Sequence, residues 1–161
     1  MKTRKVYLSL GSNLGDRAEN LRRAIATLPE KDVQVRRVSS FYETEPVDYH
    51  EQPWFVNCVV EAETELGPLE LLKVLREIEA EMGSRKEFPR GPRLVDLDML
   101  LHGEEIFETP ELKVPHPRMH LRRFVLVPLA EIAPTAMHPV LGHTAQELLK
   151  RTADRSEVRR I

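Results

Sequence analysis

The chain has 161 residues, a formal net charge of −2 and a hydrophobic content of 41%, which is typical of one ordinary globular domain. The nearly balanced charge argues against a strongly basic nucleic-acid-binding protein, and the apolar runs are too short for a transmembrane helix. The one cysteine, Cys58, excludes an internal disulfide and fits a reducing compartment. We expect a single domain over residues 1–161, a cytoplasmic monomer with no nucleic-acid or membrane partner.

The N-terminal part predicts a strand followed by a helix. The apolar residues 5–10 predict a strand, and the glycine-containing residues 11–15 predict a turn. Asp16 is a suitable helix N-cap, and Glu19 three residues later completes a capping-box pattern. Pro29 is expected to end this helix.

The middle of the chain predicts two successive strands and a second helix. Residues 32–42 and 54–64 are the strands, and the polar, proline-bracketed residues 44–53 are the loop between them. Pro68 suits the first turn of a helix. Gly83 is expected to cap that helix at its C-terminal end.

The C-terminal part predicts a charged loop, one long strand and several shorter elements. Residues 84–92 are the loop, and residues 94–101 are the strand. One or two short strands are expected within residues 105–114. Helical structure is expected in part of residues 119–132 and over residues 145–151.

These elements follow the order strand-helix-strand, twice. A parallel doubly wound sheet is less consistent with that order, because the second and third strands succeed each other without a helix. We therefore expect an α+β fold: a ferredoxin-like βαββαβ sandwich with an antiparallel sheet and extra C-terminal strands and helices.

The most informative pattern lies in residues 91–101 (GPRLVDLDMLL). Alternate residues of a strand share a face, so Asp96 and Asp98 stand side by side. The opposite face is wholly apolar and consists of Val95, Leu97, Met99 and Leu101. Paired carboxylates on such a strand need a positive partner, and Mg²⁺ is typically held by one or two carboxylates plus substrate phosphates. The alternative is a solvated edge strand, which the flanking Leu94 and Leu100 disfavour.

Two basic segments are candidates for binding nucleotide phosphates. Arg93 ends a basic loop directly before the aspartate strand, and His116 and Arg122 belong to the second segment. For each segment the alternative is an ordinary solvated loop. A zinc-binding pair of His116 with His120 is disfavoured, because Pro117 disrupts the helix start that such a pair needs.

Four other residues have both a structural and a functional interpretation. Glu79 lies on the apolar stripe of the second helix, and its spacing alone favours an ordinary boundary glutamate. Phe55 and Asn57 share a strand face, where a ring and an amide could recognise a flat heterocycle, although a strand with one polar residue is the simpler interpretation. Gly11 belongs to neither of the common glycine-rich nucleotide-binding motifs, so a plain turn is the default.

Four motifs occur in the order and spacing of one known enzyme family. They are residues 11–16 (GSNLGD), 39–46 (SSFYETEP), 91–98 (GPRLVDLD) and 114–129 (VPHPRMHLRRFVLVPL). Any one of them would be a weak signal, and the four in order are a strong one. The chain resembles the 6-hydroxymethyl-7,8-dihydropterin pyrophosphokinase family over nearly its whole length, to about Pro134.

This resemblance implies an ATP- and Mg²⁺-dependent diphosphotransferase. The expected partners are ATP and 6-hydroxymethyl-7,8-dihydropterin; ATP would give its β,γ-pyrophosphate to the hydroxymethyl group and leave AMP. Two Mg²⁺ ions would be held by Asp96 and Asp98. Catalysis would then rest on positioning and charge neutralisation.

The resemblance also implies a role for individual residues. The expected catalytic residues are Arg85, Arg93, Asp96 and Asp98. The expected ATP-binding residues are Glu79, Arg93, His116 and Arg122. The expected pterin-binding residues are Gly11, Thr44, Val47, Phe55, Asn57 and Phe124. The pterin ring would lie between Phe55 and Phe124, with its amide edge read by Asn57.

The sequence departs from the family pattern at four places. Ser84 follows Gly83, where Gly-Arg is usual. Arg90 stands where tryptophan is usual, in a loop one residue shorter than in relatives. Glu45 stands where proline is common. Phe55 stands where tyrosine is common, and this change keeps the stacking face.

Two other functions fit parts of the sequence. A Mg²⁺-dependent nucleotidyl transferase on a ferredoxin-like fold would release pyrophosphate rather than AMP, and its usual substrate is a nucleic acid. A non-catalytic ligand-binding module of the same fold would not need Asp96 and Asp98 together. Product identity separates these alternatives.

Overall fold

The computed structural model describes residues 2–46, 51–83 and 94–161. Within these ranges the strands are β1 (Arg4–Ser12), β2 (Val33–Val38), β3 (Tyr42–Thr44), β4 (Phe55–Thr64), β5 (Asp96–His102), β6 (Phe107–Glu108), β7 (Lys113–Val114) and β8 (Val158–Arg160). The α-helices are α1 (Arg17–Thr27), α2 (Pro68–Glu81), α3 (Arg123–Ile132) and α4 (Ala145–Arg151). Short 3₁₀ helices span Leu28–Lys31 and Met119–Leu121.

One antiparallel sheet organises the fold. β1 lies between β4 and β5, β4 also pairs with β2 and β3, and β8 pairs with β3. The chain order β1-α1-β2-β4-α2-β5, with the spatial order β5-β1-β4-β2, is the ferredoxin-like arrangement. The predicted α+β fold class is therefore confirmed.

Both faces of the sheet are covered by helices. On one face, α1 and α2 pack against the alternating apolar residues of the central strands, and this core includes Leu8, Leu10, Leu21, Cys58, Leu75, Ile78 and Leu97. On the other face, α3 packs against a smaller cluster that includes Tyr7, Val59, Leu100, Leu101, Val125 and Leu129. The expected core role of Cys58 fits, because its side chain is fully buried and burial raises the pKa of its thiol to about 12.

A β-bulge changes the side-chain faces of β5. The register between β1 and β5 shifts between Tyr7 and Leu8, whose partners are Leu101 and Met99, so Leu100 is an extra residue. The extra residue turns Leu101 toward α3. The prediction that Leu101 continues the apolar face of this strand is therefore wrong. The alternation before the bulge is intact, and the two aspartates keep a common face.

The predicted strand over residues 32–42 is divided into β2 and β3. Ser39 lies in the gap, where its backbone N–H donates to the carbonyl oxygen of Val59 (2.9 Å) and its hydroxyl accepts from the Val59 N–H (2.9 Å). The Ser39 hydroxyl thus accepts the hydrogen bond that a backbone carbonyl oxygen would accept in a continuous strand.

The end of β1 also differs from the prediction. Gly11 and Ser12 belong to the strand, and the turn follows them, with Gly15 at φ +66°. The predicted N-cap is confirmed: the carboxylate of Asp16 accepts from the backbone N–H of Glu19 (3.2 Å). β1 is therefore long enough to bring Gly11 beside β4 and β5.

The C-terminal elements are confirmed, with one addition. A hairpin of β6 and β7 occurs within residues 105–114, helical structure occupies parts of residues 119–132, and α4 matches its predicted bounds. β8 was not predicted, because the charged residues 155–161 lack strand-like alternation. Among the described residues, no helix is both long enough and apolar enough to span a membrane.

Candidate active site

The two aspartates lie on an edge strand of the sheet, next to its central strand. Asp96 is paired with Gly11 of β1 and Asp98 with Ser9. Their side chains share the face opposite α1 and α2, because Leu97 between them is buried in the core of that other face. The side chain of Asp98 is 44% exposed. The carboxylates are thus fixed by a buried backbone and remain accessible.

Helix α2 holds the outer edge of the aspartate strand. The carboxylate of Glu79 accepts from the backbone N–H of Leu97 (2.8 Å), and Nη1 of Arg76 donates to the Leu97 carbonyl oxygen (3.0 Å). The two side chains also form an ion pair with each other (2.8 Å). Both backbone groups between the aspartates are therefore satisfied on an edge that pairs with no further strand among the described residues.

Arg76 also faces the aspartates themselves. Its Nη2 lies 3.9 Å from Oδ1 of Asp98, so a positive charge lowers the electrostatic cost of two neighbouring carboxylates. Sequence reasoning missed Arg76. The available signal was its position three residues before Glu79, which places both side chains on one side of the helix.

A row of paired residues links the aspartate edge to the opposite half of the sheet. Gly11 is directly opposite Asp96 on one side and Asn57 on the other, and Asn57 is in turn opposite Tyr42. Nδ2 of Asn57 donates to the hydroxyl of Thr44 (2.5 Å), and both residues are buried. The amide orientation of Asn57 is therefore fixed by a neighbour.

Glycine is required at position 11 by a close approach. A β-carbon on Gly11 would collide with Oδ1 of Asn57 and would stand 3.4 Å from Cδ2 of Phe55. The backbone of β1 can therefore lie against the Asn57 amide and the Phe55 ring only without a side chain. Four of the predicted pterin-binding residues, Gly11, Thr44, Phe55 and Asn57, are brought together here.

His116 reaches the aspartate strand from the segment before α3. Its backbone N–H donates to the carbonyl oxygen of Leu100 (3.0 Å), and its Nδ1 accepts from the backbone N–H of Arg118 (3.1 Å). Burial, followed by the charges of Arg122 and Arg118, lowers the pKa of His116 to about 4. The imidazole is therefore neutral at pH 7, with its proton on Nε2.

Arg122 and Phe124 mark the start of α3. The guanidinium carbon of Arg122 lies 5.6 Å from the centre of the Phe124 ring, within the range of a cation–π contact. Phe124 also packs against the cluster between α3 and the sheet. The predicted ATP-binding arginine and the predicted stacking ring are thus neighbours on one helix end.

The donor set on the aspartate strand fits Mg²⁺. Nowhere in residues 2–46, 51–83 and 94–161 do three or more His, Cys, Asp or Glu side chains form a group that could hold a metal. Two accessible carboxylates fit Mg²⁺, which keeps water and substrate phosphates as its other ligands. Asp96 and Asp98 are the residues that fit.

Three predicted site residues lie outside the described residues. They are Val47, Arg85 and Arg93. Their expected roles stay predictions. The departures at Ser84 and Arg90 fall in the same undescribed range.

A family model and several named proteins match this chain. The model described as 7,8-dihydro-6-hydroxymethylpterin-pyrophosphokinase (HPPK) matches residues 7–134. A 2-amino-4-hydroxy-6-hydroxymethyldihydropteridine pyrophosphokinase of Bacillus subtilis is 53% identical over 127 residues, which cover 78% of this chain and 76% of that protein. The protein of the same name from Aquifex aeolicus is 42% identical over 142 residues, covering 88% of each.

Longer proteins match as well. The folic acid synthesis protein FOL1 of Dictyostelium discoideum is 41% identical over 143 residues, which cover 89% of this chain but 22% of that protein. The solved structure of wild-type Plasmodium falciparum HPPK-DHPS with pterin and p-hydroxybenzoate has a TM-score of 0.73 at 18% identity. It covers 93% of this chain, and the chain spans 43% of its length. At that identity the likeness concerns the fold alone.

Proposed function

This chain belongs to the 7,8-dihydro-6-hydroxymethylpterin-pyrophosphokinase family, and we propose that it uses one sheet face to join ATP and the pterin. It transfers the β,γ-pyrophosphate of ATP to the hydroxymethyl group of 6-hydroxymethyl-7,8-dihydropterin in folate biosynthesis. The observation that supports this most is the row of three paired residues across the sheet. Gly11 of β1 is directly opposite Asp96 of β5 on one side and Asn57 of β4 on the other. A carboxylate pair and a fixed amide are thereby held on one surface.

In this proposal, Asp96 and Asp98 hold two Mg²⁺ ions. Bound Mg²⁺ neutralises the phosphate charge that opposes attack by a hydroxyl oxygen. The positive charge of Arg76 near Asp98 reduces the repulsion between the carboxylates of Asp98 and Asp96. Glu79 fixes the backbone between them, and its position near ATP is carried over from the family.

The pterin is bound by the other half of the row. Thr44 holds Nδ2 of Asn57, so Oδ1 of Asn57 is left to accept from an N–H of the pterin edge. Phe55 supplies one stacking surface and Phe124 the other. Gly11 lets the ring approach the backbone, and Val47 completes the predicted set.

The reaction makes one P–O bond and breaks another. The hydroxymethyl oxygen bonds to the β-phosphorus and loses its proton to solvent. The bond from that phosphorus to the α,β-bridging oxygen breaks, and AMP leaves with the bridging oxygen. Arg122 and the undescribed Arg85 and Arg93 contact the phosphates as charge moves among them. His116 is neutral and donates a hydrogen bond from Nε2 to a phosphate oxygen.

The identity of the products tests this function. The protein is incubated with ATP, Mg²⁺ and 6-hydroxymethyl-7,8-dihydropterin, and AMP, ADP and pyrophosphate are separated. We expect pterin-dependent AMP in equal amount to a pyrophosphorylated pterin. Free pyrophosphate would support nucleotidyl transfer, and ATP binding without AMP would support a binding module.

We further propose that residues 1–161 form one domain and act as a cytoplasmic monomer. The sheet supports the first part, because it contains both β1 and β8 from opposite ends of the chain. The single, buried cysteine is compatible with a reducing compartment. Analytical ultracentrifugation tests the monomer, and a mass of two chains would contradict it.

A further inference from the structure

The strand β8 lies beside the part of the sheet that carries Thr44, Phe55 and Asn57, which we call the pterin end. The family match ends at residue 134, whereas β8 comprises Val158–Arg160 and pairs with β3. Val158 is directly opposite Thr44, which holds the Asn57 amide. A segment beyond the family match therefore forms the outer edge of the pocket wall.

Arg159 connects the two strands that carry Thr44 and Phe55. Its Nη2 lies 2.5 Å from Oε1 of Glu43, the residue before Thr44. Its guanidinium carbon lies 5.6 Å from the centre of the Trp54 ring, and Trp54 precedes Phe55. The Arg159 side chain thus contacts the residue before Thr44 and the residue before Phe55.

Arg17 of α1 contacts the same two neighbours. Its Nη2 is 2.9 Å from Oε2 of Glu43, and its Nη1 donates to the carbonyl oxygen of Trp54 (2.9 Å). Hydrogen bonds from Arg159 and then from Arg17 lower the pKa of Glu43. The carboxylate is therefore ionised at neutral pH, with one arginine on each oxygen.

The residues flanking β8 and β3 strengthen this connection. The backbone N–H of Glu45 donates to the carbonyl oxygen of Glu157 (3.3 Å), and the Glu157 N–H donates to Oε1 of Glu45 (2.8 Å). Glu45 is one of the places where the sequence departs from the family pattern. A proline there would have neither the N–H nor the carboxylate that makes these two bonds.

We propose that β8 is a clamp behind the pterin pocket and that Arg159 is its positioning residue. Glu43 alternates with Thr44 along β3, so the Arg159 contact lies on the face opposite the pocket and does not touch the substrate. Thr44 is directly opposite Phe55 in the ladder of β3 and β4, and Arg159 acts by stabilising this end of the ladder. This inference rests on the proposed function, because it assumes that these residues bind the pterin.

The test compares Arg159→Ala with a matched arginine. Arg36 of β2 is also exposed (51%, against 57% for Arg159) and also pairs with a glutamate, Glu63, at 2.9 Å. That contact lies at the far end of β4 from Phe55. Arg159→Ala is expected to raise the KM for the pterin about fivefold with little change in kcat or in the KM for ATP. Arg36→Ala is expected to change none of these, and Arg159→Lys to restore part of the loss.

The chain provides a second, activity-independent measurement. Trp54 is its one tryptophan, so quenching of protein fluorescence by acrylamide reports on Trp54 alone. Loss of the guanidinium from its ring is expected to increase quenching in Arg159→Ala and not in Arg36→Ala. Unchanged quenching in Arg159→Ala would overturn the clamp.

The activity outcomes separate the inference from the function on which it rests. If the unmodified chain forms no pterin-dependent AMP, the proposed function fails and the inference fails with it. If the unmodified chain is active and Arg159→Ala keeps its pterin KM, the inference alone is overturned. Equal rises in the KM values for pterin and ATP would also overturn it, because they would indicate a general loss of structure.

Discussion

The aspartate edge and the pterin end of the sheet are built in opposite ways. At the edge, the charged side chains of Arg76 and Asp98 are each 44% exposed. At the pterin end, Asn57 and Thr44 are buried, uncharged and hydrogen-bonded to each other. A single strand, β1, separates the two arrangements.

This difference indicates a division of labour. An exposed charged edge can take up phosphates and metal ions and release them, since its groups are solvated in either state. A buried neutral pair keeps one geometry, since breaking its hydrogen bond would leave polar groups without partners. We therefore expect changes at the edge to reduce turnover and changes at the pterin end to weaken substrate binding.

The largest expected effect is at the carboxylates. Asp96→Asn or Asp98→Asn should lower kcat by at least about a hundredfold, because one of the two proposed Mg²⁺ ligands loses its charge. Binding of ATP should become weak but remain detectable. Steady-state AMP formation measures the loss.

The control for this prediction is the same chemical change elsewhere. Asp32 has a left-handed backbone conformation, φ 68°, which asparagine tolerates. Asp32→Asn should leave kcat unchanged. Near-normal turnover of either Asp96→Asn or Asp98→Asn would rule out the metal assignment.

The next effect is at the close approach beside Asn57. Gly11→Ala should raise the KM for the pterin about tenfold or more, because the new methyl group collides with Oδ1 of Asn57. Gly67→Ala is the control, since the nearest atom to a β-carbon there is Oε1 of Glu70 at 3.5 Å. An unaltered pterin KM in Gly11→Ala would show that the amide position does not matter.

A smaller effect, on stability, is expected where α2 meets the aspartate strand. Glu79→Ala should lower the free energy of unfolding by ~2 kcal/mol, because the buried N–H of Leu97 loses its acceptor. Glu79→Gln should lower it less, since an amide oxygen remains. Urea denaturation measures both, with the exposed Glu77→Ala as control. Equal stability of Glu79→Ala and Glu77→Ala would contradict the role of this contact.

The smallest effect is the pH dependence that His116 contributes. Its pKa is about 4 in the folded protein and about 6.5 in an unfolded chain. The unfolded chain therefore binds the proton more tightly, so this contribution to stability is complete above pH 6.5 and declines as the pH falls toward 4. At pH 5 the unmodified protein should lose roughly 1.8 kcal/mol more, relative to pH 7, than His116→Gln.

Urea denaturation of the two proteins at both pH values measures this difference. Other ionisable groups are common to both proteins, so they cancel in the comparison. Identical pH dependence would show that His116 titrates normally in the folded state.

Much of the fold could be predicted because its signals are local. The alternation of β1 and β4, the cap at Asp16 and the stripe of α2 each depend on a few neighbouring residues. β8 could not be predicted, because its partner β3 lies more than a hundred residues earlier and its charged residues give no alternation. The bulge at Leu100 and the gap at Ser39 depend likewise on partners across the sheet.

The candidate site divides in the same way. The carboxylate pair of Asp96 and Asp98 is visible in the sequence because its spacing alone sets the common face. The Arg76 contacts depend on where α2 packs against β5, and the reason for glycine at position 11 depends on the approach of Asn57. The roles of the undescribed Arg85, Arg93 and Val47 stay predictions.

The division of labour is tested most directly by measuring kcat and the pterin KM of Asp96→Asn and Asn57→Ala in one assay, with thermal unfolding to confirm that both variants are folded. We predict a crossed result, in which Asp96→Asn loses kcat and Asn57→Ala raises the pterin KM. If both folded variants change only kcat, or both change only the pterin KM, the assignment of separate functions to the two ends of the sheet is contradicted.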